Sequence, residues 1–257
     1  MGLTKLLAGM VILGMSLPGC SPKPKRGHTL SPLAGSGWRT ELPVAGFAPA
    51  VVALPLGATS PRPIVIVIHG ARDRAEWQCG SFRGLFGPSV FIVCPQGVQV
   101  AGAGGLYGLG SFDDSSAELR AALAALKARY GKHVAPSPAV LVGYGEGAAV
   151  AADLARQEPS FFARVALVNG DPSMWSSSAA KIFNVRGGKR VLFFCTDRAC
   201  EDSAGQRALW LNRGGGVTTK TVRAAVGPYL DERFTAALEP ELAWLVEGDA
   251  RFAKSRR

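Results

Sequence analysis

The chain predicts an α/β fold: a mainly parallel sheet with helices on both faces. Three observations carry this. Apolar runs of strand length recur and are continuous, as in Ile64-Val-Ile-Val-Ile68 and Val90-Phe-Ile-Val-Cys94, the pattern of strands buried on both faces. Between such runs lie segments with apolar residues at helical spacing, among them Leu119, Leu123, Leu126 and Tyr130, and this alternation is the signature of a parallel sheet wrapped by helices. Glycine-rich stretches such as Gly102–Gly110 sit where the substrate-side loops of such sheets lie.

Taken in order, residues 47–56 read as an early antiparallel strand and 63–68 as a β-branched run buried on both faces. Residues 90–94 form the next strand, and 115–130 a helix with charges on its outer side. Residues 138–144 are the central strand, followed by a small-residue helix over 146–156. Strands over 162–169, 190–196 and 217–226 and helices over 203–212 and 231–246 continue the alternation. No internal repeat or domain-scale linker interrupts residues 38–257, which read as one domain.

The ends differ in kind. A positive start (Met1–Lys5) precedes an apolar stretch, Leu6–Leu17, that is too short for a permanent membrane span. It ends in Leu17-Pro18-Gly19-Cys20, which resembles the lipobox of bacterial lipoproteins, with proline a less common choice before the glycine. The resemblance implies a signal peptide over 1–19, acylation of Cys20 and anchorage to a membrane in the cell envelope; an ordinary secretory signal with an incidental cysteine is the alternative. Ser21 after the cysteine resembles the pattern of outer-membrane lipoproteins. Residues 20–37, rich in Ser, Pro, Gly and Lys, read as a flexible tether. The net charge of +10 is scattered except at the tail Arg251–Arg257, and no aromatic–basic interleaving points to a nucleic-acid partner.

Beyond Cys20 stand Cys79, Cys94, Cys195 and Cys200. An even number in an exported chain favours disulfides. Of three connectivities, local pairing (Cys79–Cys94, Cys195–Cys200) is favoured, each pair closing a short loop beside a strand. Three histidines in the whole chain speak against a histidine-rich metal site, and no motif calls for a cofactor.

The segment Gly143-Tyr144-Gly145-Glu146-Gly147 follows the central strand and resembles the nucleophile elbow, Gly-x-Ser-x-Gly, of α/β-hydrolases. His69-Gly70-Ala71 after the strand 64–68 is similar to that family's oxyanion loop. The resemblance spans roughly residues 46–248 and implies the α/β-hydrolase fold, with oxyanion donors on the 69–71 loop and the N–H of Glu146, and with His69 in a structural role. The position of the nucleophile holds Gly145, which has no side chain to attack a carbonyl. By the same resemblance the acid belongs after the strand 190–196, where Asp197 fits best and Asp202 less well; either also suits a plain turn. The base belongs after the last strand, where Val226-Gly-Pro-Tyr229 supplies Pro228 and Tyr229 but no histidine; none follows His133, which is read as a surface residue at the opposite end. A Ser-His-Asp relay needs an imidazole to take and return a proton.

Tyr144 near its ordinary pKa of about 10 is a poor nucleophile without a base. Family geometry turns the Glu146 side chain into the surrounding structure, and Ser115 or Ser116 reads as a helix cap. The expectation is a lipid-anchored pseudoenzyme whose pocket, bordered by Ala71, Glu146, residues 102–110 and Tyr229, binds a small ligand, peptide or envelope component, with Tyr229 partly refilling the histidine's space. The alternative is an ester or amide hydrolase using another nucleophile or a carboxylate-activated water, marked by Glu146 paired with Asp197 in the pocket. A third reading, a surface interaction module, predicts an exposed apolar patch away from the elbow.

Overall fold

The structure, a computed structural model, describes residues 29–252; the signal peptide, Cys20 and the last five residues lie outside the described residues. Ten strands are formed: β1 (Arg39–Leu42), β2 (Ala50–Ala53), β3 (Ile64–Ile68), β4 (Phe91–Cys94), β5 (Val98–Gln99), β6 (Tyr107–Gly108), β7 (Val140–Tyr144), β8 (Arg164–Val168), β9 (Arg190–Cys195) and β10 (Thr218–Arg223). Eight make one sheet in the order β1-β2-β4-β3-β7-β8-β9-β10. Strand β2 runs antiparallel to both neighbours, and the pairs from β4 through β10 are parallel. A separate hairpin pairs β5 with β6.

The continuous apolar runs have a direct cause. In β3, Ile64, Ile66 and Ile68 feed one core, with Leu141, Phe193 and Trp175. Val65 and Val67 feed the other, with Phe82, Phe194 and Phe234. Side chains alternate across a strand, and here both faces are covered, so every position is apolar.

The helices are α1 (Ala75–Phe86), α2 (Phe112–Tyr130), α3 (Gly147–Gln157), α4 (Ser177–Val185), α5 (Arg198–Asn212) and α6 (Glu232–Val246). Helix α2 starts earlier than its apolar spacing indicates. Ser111 accepts the Asp114 N–H, and the Asp114 carboxylate returns to the Ser111 N–H, a reciprocal capping box. Ser115 and Ser116 are therefore not caps; both are buried inside the helix. Several elements escape the sequence patterns, the β5–β6 hairpin among them. Edge strand β1 reads Arg-Thr-Glu-Leu and buries only Leu42. Helix α1 contains Gly80 and Gly84, which dilute its pattern, yet Cys79, Phe82 and Phe86 face the core. Helix α4 is short and begins at a Ser176 cap.

Both disulfides form as local pairing expects. Cys79 on α1 is bonded to Cys94 at the end of β4, and Cys195 at the end of β9 to Cys200 in α5. Part of the segment read as tether is docked: the Leu30 N–H donates to Thr59 O and the Leu33 N–H to Ala58 O (2.9 and 3.0 Å), and Leu33 is buried.

Candidate functional site

The turn between β7 and α3 has the geometry of a nucleophile elbow. Gly145 sits at φ +57°, its N–H donates to Val168 O (2.9 Å), and its carbonyl accepts from the Ala148 N–H (3.0 Å). The neighbouring glycines are forced by close packing. A Cβ on Gly147 would strike Ile68 O and lie 2.5 Å from His69 O, and one on Gly143 would strike Gly147 O and lie 2.6 Å from Ala148 Cα. Gly170 after β8 is held the same way against Gly145 O and Ala148. Gly145 differs: a Cβ there meets only Gly70 Cα, at 3.5 Å, an ordinary contact. The turn has room for a side chain and lacks one.

The 69–71 loop is held by His69, which is buried with its ring nitrogens 2.6 Å from Gly70 O and 2.9 Å from Gln96 O. The ring thus lies between the carbonyls of residues 70 and 96 and ties the two loops together. Behind it, buried Glu118 accepts the N–H groups of Gln96 and Gly97, each at 2.9 Å. Burial pushes its carboxyl above the usual range, against those two hydrogen bonds and the charge of nearby His69.

A cavity of about 560 Å³ opens above Gly145, at the carboxyl ends of β3, β7 and β8. Ala71, Asp73, Gln78, Tyr144, Glu146 and Asn169 line it, with Trp77 and Tyr229 at its mouth. Asp73 accepts from the Arg74 N–H (2.7 Å) and from Gln78 Nε2 (2.6 Å). This contact fixes the Gln78 amide and leaves its buried Oε1 without a hydrogen-bond partner. The Tyr144 hydroxyl donates to Pro228 O, and its ring packs edge-on against Phe234. Burial pushes its pKa up to about 12, with the charges of Asp73 and Tyr229 acting in the same direction. Tyr144 thus crosses from the elbow to the loop where a catalytic histidine would stand.

Several expectations are corrected. Tyr229 does not refill the histidine's space: it is 76% exposed at the rim, and Tyr144 occupies the route to that loop. Glu146 is not turned into the structure but exposed beside the cavity. Asp197 caps α5, accepting the Cys200 N–H at 2.8 Å, and is absent from the cavity wall, so the Glu146–Asp197 pair does not form there. Asp202 pairs with Arg198 on the surface. Residues 102–110 do not border the cavity; they support its wall from behind, through Tyr107 paired with Asp73 and the Arg74 guanidinium donating to Gly104 O (2.9 Å).

Several lining residues were missed by the sequence patterns, among them Asn169, Asp73, Gln78 and Trp77. Asn169, at φ +52°, accepts from Thr196 Oγ1 (2.7 Å); an asparagine before glycine at a strand end is its one visible signal, since Asn tolerates left-handed backbone. Asp73 and Gln78 belong to the unrecognised α1 region. Among the described residues, no group of three His, Cys, Asp or Glu side chains is arranged to hold a metal ion, and no helix is long and apolar enough to cross a membrane.

No protein-family model matches the chain, and no curated protein matches it. Solved structures do. TT1662 from Thermus thermophilus superposes with a TM-score of 0.57 at 14% identity, covering 81% of this chain and 98% of its own. Est1E from Butyrivibrio proteoclasticus gives 0.57 at 11% identity, covering 82% of this chain and 99% of that one, and one of its structures holds ferulic acid. An S-formylglutathione hydrolase from Agrobacterium tumefaciens gives 0.58 at 14%, covering 77% and 89%. The chain has the α/β-hydrolase fold.

Proposed function

We propose that this chain is an exported, lipid-anchored pseudoenzyme of α/β-hydrolase fold that binds a small ligand, peptide or envelope component above Gly145 without hydrolysing it. The observation that carries this reading is the elbow itself. Its packing glycines are locked in place, while the one position with room for a reactive side chain has none. The polar groups around it support binding. Asp73, Asn169 and Tyr144 have intramolecular partners that hold them in place at the wall. Trp77 and Tyr229 offer exposed rings at the mouth. Without nucleophile or base, only electrostatic stabilisation by backbone donors would remain.

A second reading, hydrolysis by carboxylate-activated water, draws on Asp73 and Glu146 in the cavity wall and on the name of the S-formylglutathione hydrolase that shares the fold. Turnover of short- and medium-chain aryl esters by residues 21–257 separates the two. The proposal expects none above buffer, with saturable protection against thermal unfolding by compounds found in a ligand screen; sustained turnover by the natural sequence would select the hydrolase.

A further inference from the structure

In this topology the amino ends of the parallel strands and the carboxyl ends of the helices converge at one end, opposite the cavity. That end is basic. Lys127 lies in the last turn of α2, Lys132 just beyond it, Arg186 and Lys189 between α4 and β9, and Arg213 after α5. All five are exposed, and none has an ion-pair partner among the described residues. Near that end Glu158 pairs with Arg120 (3.1 Å), Glu247 with Arg190 (3.2 Å) and Asp249 with Arg251 (2.7 Å), and Glu239 beside Phe86 has no ion-pair partner among the described residues. The cavity end carries Asp73, Glu76, Asp113, Asp114, Glu146, Asp171, Asp197, Glu201, Asp202, Asp231 and Glu232 against Arg72, Arg74, Arg198, Arg223 and Arg233, an acidic excess.

Helix dipoles explain part of this polarity, since acidic groups favour helix starts and basic groups helix ends. They do not explain Arg62 and Lys189, which precede strands. The chain also enters at the basic end: Leu30 is bonded to Thr59, and Ser31 O lies 2.9 Å from His133 Nε2. It leaves there too, with Phe252 packed on Phe86 at the end of α1. Cys20 precedes Thr29 by nine positions, a step that spans at most roughly 30 Å. Lys23, Lys25 and Arg26 before the described residues, and Lys254, Arg256 and Arg257 after them, carry the same sign.

We propose that this basic end is a bilayer-facing surface: Lys127, Lys132, Arg186, Lys189 and Arg213 lie on anionic headgroups, and the Gly145 cavity opens away from the membrane. The orientation rests on the reading of Cys20 as the lipid-bearing residue. Each basic side chain near an anionic surface contributes additively to adsorption, while an acidic cavity end facing the lipid would be repelled.

The test uses residues 21–257, which contain all the described residues and no lipid, in flotation with vesicles of phosphatidylcholine alone or with about one-third phosphatidylglycerol. Binding is expected only to the anionic vesicles and to weaken with salt. The quadruple variant Lys127→Glu, Lys132→Glu, Arg186→Glu, Lys189→Glu, checked for native circular dichroism, should partition at least about 100-fold more weakly. Arg198→Glu with Arg233→Glu, at the cavity end, should change partition less than about 3-fold. Equal losses per charge from the two ends, equal binding to neutral vesicles, or tighter binding to duplex DNA than to anionic vesicles would each overturn the proposal. Mass spectrometry of the full chain made in a bacterium tests the anchor separately. An unacylated Cys20 removes the anchor and the orientation together, whereas an acylated chain whose soluble form ignores anionic vesicles removes the orientation alone.

Discussion

The elbow and the loop after β10 occupy the same cavity, yet they are constrained in opposite ways. At the elbow, Gly143, Gly147 and Gly170 are pressed against backbone atoms of β3, α3 and the turn itself. Loop residues Gly227, Pro228 and Tyr229 are far less enclosed, and the contact that ties them to the elbow is the Tyr144 hydroxyl on Pro228 O. Groups that hold the scaffold together are those whose loss would unfold it. Groups that would carry chemistry, the side chain at 145 and an imidazole after β10, cost little stability to lose. The result is an α/β-hydrolase frame with tight elbow packing, a glycine at position 145 and no histidine after β10.

The sharpest break of this contrast is Gly147→Ala. Its Cβ would strike Ile68 O, so the variant should lose about 4 kcal/mol or more, or fail to accumulate as folded protein; urea unfolding reads this out. Gly145→Ser tests the other side. The site has room, and only the φ of +57° opposes a side chain, at a cost of about 1–3 kcal/mol. The variant should fold and still hydrolyse no aryl ester, because no imidazole follows β10 to take the hydroxyl proton.

Glu118→Gln sharpens the picture of the oxyanion loop through pH. Burial raises the folded pKa of Glu118 above its ordinary value of 4.5. The stability linked to the protonated form is therefore fully present below pH 4.5 and is lost as pH rises through the folded pKa. The amide of the substituted side chain can still accept from Gln96 and Gly97 but cannot ionise. The melting temperature of the variant should therefore fall less than that of the natural chain on going from acid to neutral pH. The smallest effect belongs to Tyr229→Ala. At 76% exposure it should change stability by under about 0.5 kcal/mol, and any ligand that the cavity holds should bind more weakly.

The sheet was legible because strands buried on both faces carry continuous apolar runs, and the elbow because its glycines report backbone contacts. The disulfides followed from local spacing. Residues whose role depends on distant partners were not legible. Asp73 and Gln78 reach the cavity only because α1, obscured by Gly80 and Gly84, packs against β4. Asp197 looked like an acid by position, but its carboxylate is spent on capping the start of α5. The crossing of Tyr144 to Pro228 joins residues 84 positions apart, beyond the reach of any local pattern.

The most direct measurement is the intact mass of residues 21–257 after incubation with a fluorophosphonate and, separately, a maleimide, beside the variant Gly145→Cys. Cys79, Cys94, Cys195 and Cys200 are paired in disulfides, so the variant carries one thiol, facing the cavity. The account predicts no adduct on the natural chain with either reagent and a single maleimide adduct on Gly145→Cys. A fluorophosphonate adduct on the natural chain, mapped to the cavity, would reveal a working nucleophile and contradict it.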